Sequence, residues 1–120
     1  MDNNGWKDIS TCPRGDKPED ARMVLVWHVF QGFIVCSTRD APKNRFNVYW
    51  REPPEEWIDP HDRLPTKDDA DEHNCVLIVD SRGEMRATGW HQIQNAESVM
   101  KWSARPEPPN DYKILRRTAN

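Results

Sequence analysis

The residues of this 120-residue chain that could carry out chemistry are four histidines, three cysteines and twenty carboxylates, and their spacing builds no familiar reaction centre. His61-Asp62 and Asp71-Glu72-His73 set ligand-type atoms side by side, yet neither matches a zinc or calcium loop. They read as solvated loop residues. Cys12, Cys36 and Cys75 are odd in number, widely scattered and without a Cys-x-x-Cys spacing, which suits reduced thiols in or near a core. No nucleophile elbow is present, and the five glycines (5, 15, 32, 83 and 89) do not gather into a phosphate-cradling loop. The acidic run Asp68-Asp69-Ala70-Asp71-Glu72 reads as a solvated loop. These residues point away from an enzyme and call for no metal or cofactor. The chemistry left is recognition: Trp27 and Trp90 with Arg39, His91, Arg82 and Arg86 supply aromatic faces beside cationic or hydrogen-bonding groups, a combination that binds protein surfaces or nucleotide bases.

Four of these, Trp27, Trp90, Arg39 and His91, stand out because most of the chain repeats itself; Arg82 and Arg86 join them only as possible phosphate partners. Pro13, Val24, Leu25 and Trp50 recur 52 positions later as Pro65, Val76, Leu77 and Trp102, and Val26 recurs as Ile78. Asp16 maps to Asp68, and Glu19-Asp20 to Asp71-Glu72. With a one-residue adjustment Trp6 maps to Trp57. A proline block follows each late tryptophan, as Arg51-Glu52-Pro53-Pro54 and as Arg105-Pro106-Glu107-Pro108-Pro109. The repeat assigns Trp6, Trp50, Trp57, Trp102 and the proline blocks to scaffold. It leaves Trp27 opposite Val79, Trp90 opposite Thr38, and Arg39 opposite His91. Each asymmetric tryptophan either fills extra core space or faces a partner, and the sequence leaves both open.

The elements that must position these residues are strands. Met23–Phe30 is rich in valine and aromatics, Gln31-Gly32 supplies a turn and Phe33–Thr38 returns. Both faces of the first strand are apolar, so it should be covered on two sides. Arg39–Arg45 reads as a loop and Phe46–Trp50 as a third strand. The second copy predicts strands over Cys75–Val79 and Glu84–Trp90, with Asp80-Ser81-Arg82-Gly83 as the turn. Val99–Trp102 is the last strand of that copy, although the composition of Ala96–Lys101 also suits a short helix. The expected fold is all-β, or β-rich α+β. Two tandem antiparallel units, 6–56 and 57–109, would be related by a pseudo-twofold and packed as one body, because a unit of about 50 residues is small for a lone core. Residues 110–120 form a C-terminal tail, either a docking segment or a frayed end.

Composition narrows the partners. Net charge is −3; residues 1–56 hold 8 basic and 9 acidic side chains and the rest 9 and 11, so neither half is a basic platform for nucleic acid. No apolar run reaches the roughly 18 residues of a spanning helix, and no signal peptide is evident, so the expected location is cytoplasmic. Only 36% of residues are hydrophobic. Six tryptophans offset that deficit, each able to bury about 150–250 Å².

One combination of residues resembles a known family. Trp57-Ile58-Asp59-Pro60-His61-Asp62-Arg63-Leu64-Pro65, then Val76–Val79, Gly83, and Lys101-Trp102-Ser103-Ala104-Arg105-Pro106-Glu107-Pro108-Pro109 is similar to the phage and prophage family known as domain of unknown function 551. Residues 6–54 resemble it as a degenerate copy, with Cys12-Pro13 in place of Leu64-Pro65. The resemblance implies a small phage or prophage protein and carries over no catalytic motif. Two fused copies and an aromatic first hairpin depart from the pattern. The leading expectation is a non-catalytic protein that binds and inhibits a host protein such as an antiviral defence component. The alternative is a sponge that holds a signalling nucleotide, with Trp27 or Trp90 stacking the base and Arg39, Arg82 or Arg86 pairing the phosphate.

Overall fold

The computed structural model describes residues 3–13 and 21–119. Asp16, Glu19 and Asp20, used above to align the repeat, and most of the entrance segment 13–19 lie outside the described residues. Among the described residues seven strands form two antiparallel sheets and one α-helix follows them, so the fold is β-rich α+β. The chain divides into two units: Met1–Pro53 with Glu107–Asn120, and Pro54–Pro106. This division keeps the boundary between the copies near the expected one but assigns 107–120 to the first unit.

In the first unit, β1 (Lys7–Asp8), β2 (Met23–His28), β3 (Gly32–Ser37) and β4 (Asn47–Arg51) lie in the order β1-β4-β2-β3. The first long strand stops at His28 rather than Phe30. There the His28 Nδ1 accepts hydrogen bonds from the Phe30 and Gln31 backbone N–H groups, at 3.2 and 3.1 Å, and Gly32 takes φ +77°. A side-chain acceptor at the corner thus fixes a turn that glycine finishes. On the other flank of β2, Trp27 pairs with Tyr49 and His28 with Asn47, leaving Val48 as an extra residue in a bulge.

Both faces of β2 are buried, as its composition requires. On one face Val24, Val26 and Trp50 pack with Cys12 and Ala41, with Ile9, Ile34 and Cys36 at the margin. On the other face, the Trp27 ring meets Trp6 and Tyr112 edge-on, with centroids 5.6 and 5.8 Å away. Tyr112 opens helix α1 (Tyr112–Ala119). The approach to α1 is tied down residue by residue. Trp6 Nε1 donates to the Glu107 carbonyl at 2.6 Å, Asn4 Nδ2 to the Pro108 carbonyl at 2.8 Å, and the Asn110 N–H to Asn3 Oδ1 at 2.6 Å. Tyr49 Oη donates to Asp111 at 2.9 Å. The tail is therefore a docked helix. Eight residues are too few to hold a helix in water, so these contacts decide its state.

The second unit repeats the plan with β5 (Cys75–Val79), β6 (Met85–Gly89) and β7 (Lys101–Ser103) in the order β6-β5-β7. The agreement reaches single residues. Val76, Ile78, Ile93 and Trp102 form its core with Leu64 at the margin, and each stands 52 positions after Val24, Val26, Ala41, Trp50 and Cys12 in turn. Ile58 bridges to Trp102 where Lys7 pairs with Trp50. The backbone bond from Thr38 N to Arg22 O recurs from Trp90 N to Asn74 O.

Ala96–Lys101 is neither helix nor strand through most of its length. Asn95 Oδ1 accepts from Glu97 N and Ser98 Oγ, both at 3.1 Å, and the chain turns there before β7 begins at Lys101. The asparagine side chain takes a backbone donor that a helical turn would otherwise use. The acidic run is also more than solvated. The Asp69 carboxylate accepts from Thr66 N at 2.8 Å and pairs with Arg63 at 2.9 Å, while Asp71 Oδ1 accepts from His73 N and Cys75 N at 2.9 Å. Burial pushes the Asp69 pKa up, but Arg63 and the Thr66 donors outweigh it and hold the carboxyl below its usual 3.8. No helix among the described residues is long and apolar enough to cross a membrane.

Candidate recognition arm

The six residues singled out for recognition divide between the units. In the first unit Trp27 is 4% exposed, with the edge-on neighbours named above, so its ring belongs to the interior. Its Nε1 is buried without a hydrogen-bond partner among the described residues. Offering Trp27 to an outside partner does not fit this placement. The tryptophan stands opposite Val79 in the repeat because the first unit has an extra helix to pack against. Arg39 is exposed just after β3.

Arg82, Arg86, Trp90 and His91 come together along one arm of the second unit. Arg82 lies in the β5–β6 turn, Arg86 in β6, and Trp90 and His91 in the single 3-10 turn Trp90–Gln92 that follows. β6 is an edge strand. Arg86 pairs with Ile78 and Thr88 with Val76, so both side chains stand on the face of the hydrophobic cluster, at its rim. Trp90 is half-buried and packs against that cluster, while Arg82, Arg86 and His91 are exposed. The arm thus carries a part-anchored indole with His91 edge-on to it, and exposed Arg86 and Arg82 further along the strand and its turn.

Its local geometry is built by glycine and by Asp80. A Cβ on Gly89 would lie 2.8 Å from His91 Cε1, so the imidazole occupies the space that glycine leaves; it meets the Trp90 ring edge-on at 6.0 Å. At the far end Asp80 Oδ1 accepts from the N–H groups of Arg82 (2.9 Å) and Glu84 (3.0 Å), and Gly83 takes φ +83°. The Glu84 N–H bond, helped by the Arg82 N–H and the Arg86 and Arg82 charges, outweighs the upward push of slight desolvation and holds the Asp80 carboxyl below its usual range. Two further members escaped the sequence reading. Thr88 Oγ1 donates to Gln92 Oε1 at 3.1 Å, on the same face of β6 as Arg86. The two-residue step from Arg86 to Thr88 was the available signal.

The other reactive groups are placed for structure. Burial raises the pKa of Cys12, Cys36 and Cys75, the opposite of an activated thiol. His61 Nδ1 lies 3.0 Å from Asp59, and His73 lies 3.6 Å from Glu72. Among the described residues no three His, Cys, Asp or Glu side chains converge to hold a metal ion. No family model, curated protein or solved structure matches the chain.

Proposed function

We propose that this chain is a non-catalytic accessory protein of phage or prophage origin that acts in the host cytoplasm, where it binds and inhibits a host protein of the antiviral defence class. The observation that carries the binding role is the arm of the second unit, where Arg82, Arg86 and His91 are exposed along β6 and its flanking turns and His91 adjoins the half-buried Trp90. Tryptophan and arginine are enriched where proteins bind one another, and a ring anchored on one side loses little freedom on contact. The repeat residues that resemble domain of unknown function 551 support the phage setting.

A protein partner is favoured over a nucleotide for two reasons. Arg82 and Arg86 both flank the Asp80 carboxylate, which repels phosphate. The buried Trp27 offers no face on which a base could stack.

Affinity capture from host lysate in moderate salt tests the reading. The wild type should retain one stoichiometric protein partner, and Arg86→Ala or His91→Ala should lose it while the fold stays intact by circular dichroism. Capture that recovers no protein, or a nucleotide released from the denatured chain, sinks the proposal.

A further inference from the structure

Strand β3 is a long, open edge without the usual protection. It ends the first sheet and, among the described residues, pairs only with β2. Thr38 N bonds to Arg22 O, so the even-numbered residues of β3 direct their backbone groups toward β2. Phe33 and Val35 therefore direct theirs outward, where they meet no partner among the described residues. Edge strands are normally kept apart by charge, proline, shortness or a bulge. β1 has two residues, both charged; β6 carries Arg86 and β7 carries Lys101. β3, Gly-Phe-Ile-Val-Cys-Ser, has none of these devices over six residues.

We propose that β3 pairs antiparallel with β3 of a second copy of this chain, about a two-fold axis at Val35. The sequence is self-complementary in that register. Val35 meets Val35, and Phe33 meets Ser37, so the outward groups of Phe33 and Val35 face outward groups of the second copy, the Ser37 carbonyl being shared with the Asp40 N–H that it already accepts at 3.1 Å. A two-fold sets each residue against its mirror position, which a charged edge would resist and this uncharged one does not. The nearest charges do not oppose the same arrangement: Arg39 comes level with Gln31 of the second copy and Asp40 with Phe30, so no like charges meet. This pairing is independent of the recognition arm, which belongs to the second unit.

The test is the mass of the full chain in solution at roughly 50 µM, by light scattering or sedimentation. The expected mass is twice 14.1 kDa. Val35→Pro removes an outward N–H, the one place where a strand edge accepts proline, and should yield a folded monomer by circular dichroism. The register has its own probe. It sets residue 34 opposite Cys36 of the second copy in a non-hydrogen-bonded pair, where Cα atoms lie about 4.5 Å apart and a disulfide can close. Ile34→Cys should therefore give a reducible dimer on mild oxidation, and the Ile34→Cys/Cys36→Ser double variant should not. A monomeric wild type, a dimer that survives Val35→Pro, or an Ile34→Cys chain that fails to cross-link overturns the proposal.

Discussion

Gly89 and His28 show how much a single residue can govern here. Gly89 has an ordinary extended conformation, φ −62° and ψ 131°, so its role is to make room rather than to relieve strain. Gly89→Ala should leave stability within about 1 kcal/mol of the wild type, while displacing the His91 ring. Partner capture should then fall as far as in His91→Ala, and chemical denaturation alongside the capture assay separates the two effects. His28 acts on the fold. Its burial holds the imidazole pKa below the usual 6.5, and its Nδ1 serves as an acceptor only while unprotonated. The unfolded chain therefore takes up the proton first as pH drops. The His28 contribution should be complete above about pH 6.5 and decline below it, toward the lowered folded-state pKa. Urea midpoints between pH 8 and pH 5 should trace that decline. His28→Phe should flatten it, and should cost about 1–3 kcal/mol at pH 8 by leaving two turn donors unpaired.

At the scale of elements, each unit ties its last strand to its entrance segment through one indole. Trp102 Nε1 donates to the Arg63 carbonyl at 2.8 Å with the Arg63 guanidinium 4.8 Å above the ring; Trp50 Nε1 donates to Thr11 Oγ1 at 2.9 Å with Lys7 5.1 Å above. Trp102→Phe leaves a backbone carbonyl unpaired and a void in the core, at a cost of about 1–3 kcal/mol. Trp50→Phe should cost less, because the exposed Thr11 hydroxyl can turn to water; equilibrium unfolding of both variants checks the order. These indoles were legible as scaffold because the repeat preserved them at a constant offset. Strands β2, β3 and β5 were legible too, since their valine-rich runs between turn residues have few alternatives. The turn at Asn95 was not, because its outcome rests on one side chain competing with backbone donors. Helix α1 escaped notice because its stability comes from Trp6, Tyr49 and Trp27, far away in the chain. Of the residues that break the repeat, Trp90 and His91 follow β6 directly, on the same arm as Arg82 and Arg86, which the repeat did not mark. Trp27 left the candidates only when its neighbours were known.

At the scale of the whole molecule, the first unit is assembled from both ends of the described chain. Truncation after Pro106 should strip Trp6 Nε1 and Tyr49 Oη of their partners and open the Trp27 ring to water. The expected outcome is a red-shifted tryptophan emission, with amide chemical-shift changes running through β2 and β4. An unshifted spectrum over residues 3–53 would show that the helix is not needed there.

The same division sets an order of events during synthesis. A ribosome adding about 5–20 residues per second needs roughly 3 to 11 seconds to pass from Pro53 to Glu107. Throughout that interval the first sheet exists without its helix, while the segment 54–106 emerges uninterrupted. Residues of the first sheet are thus made well before they are sealed. During those seconds the uncovered faces of Trp6 and Trp27 are where a chaperone would bind the nascent chain, and a stall before Glu107 would leave the strands of the first unit bare.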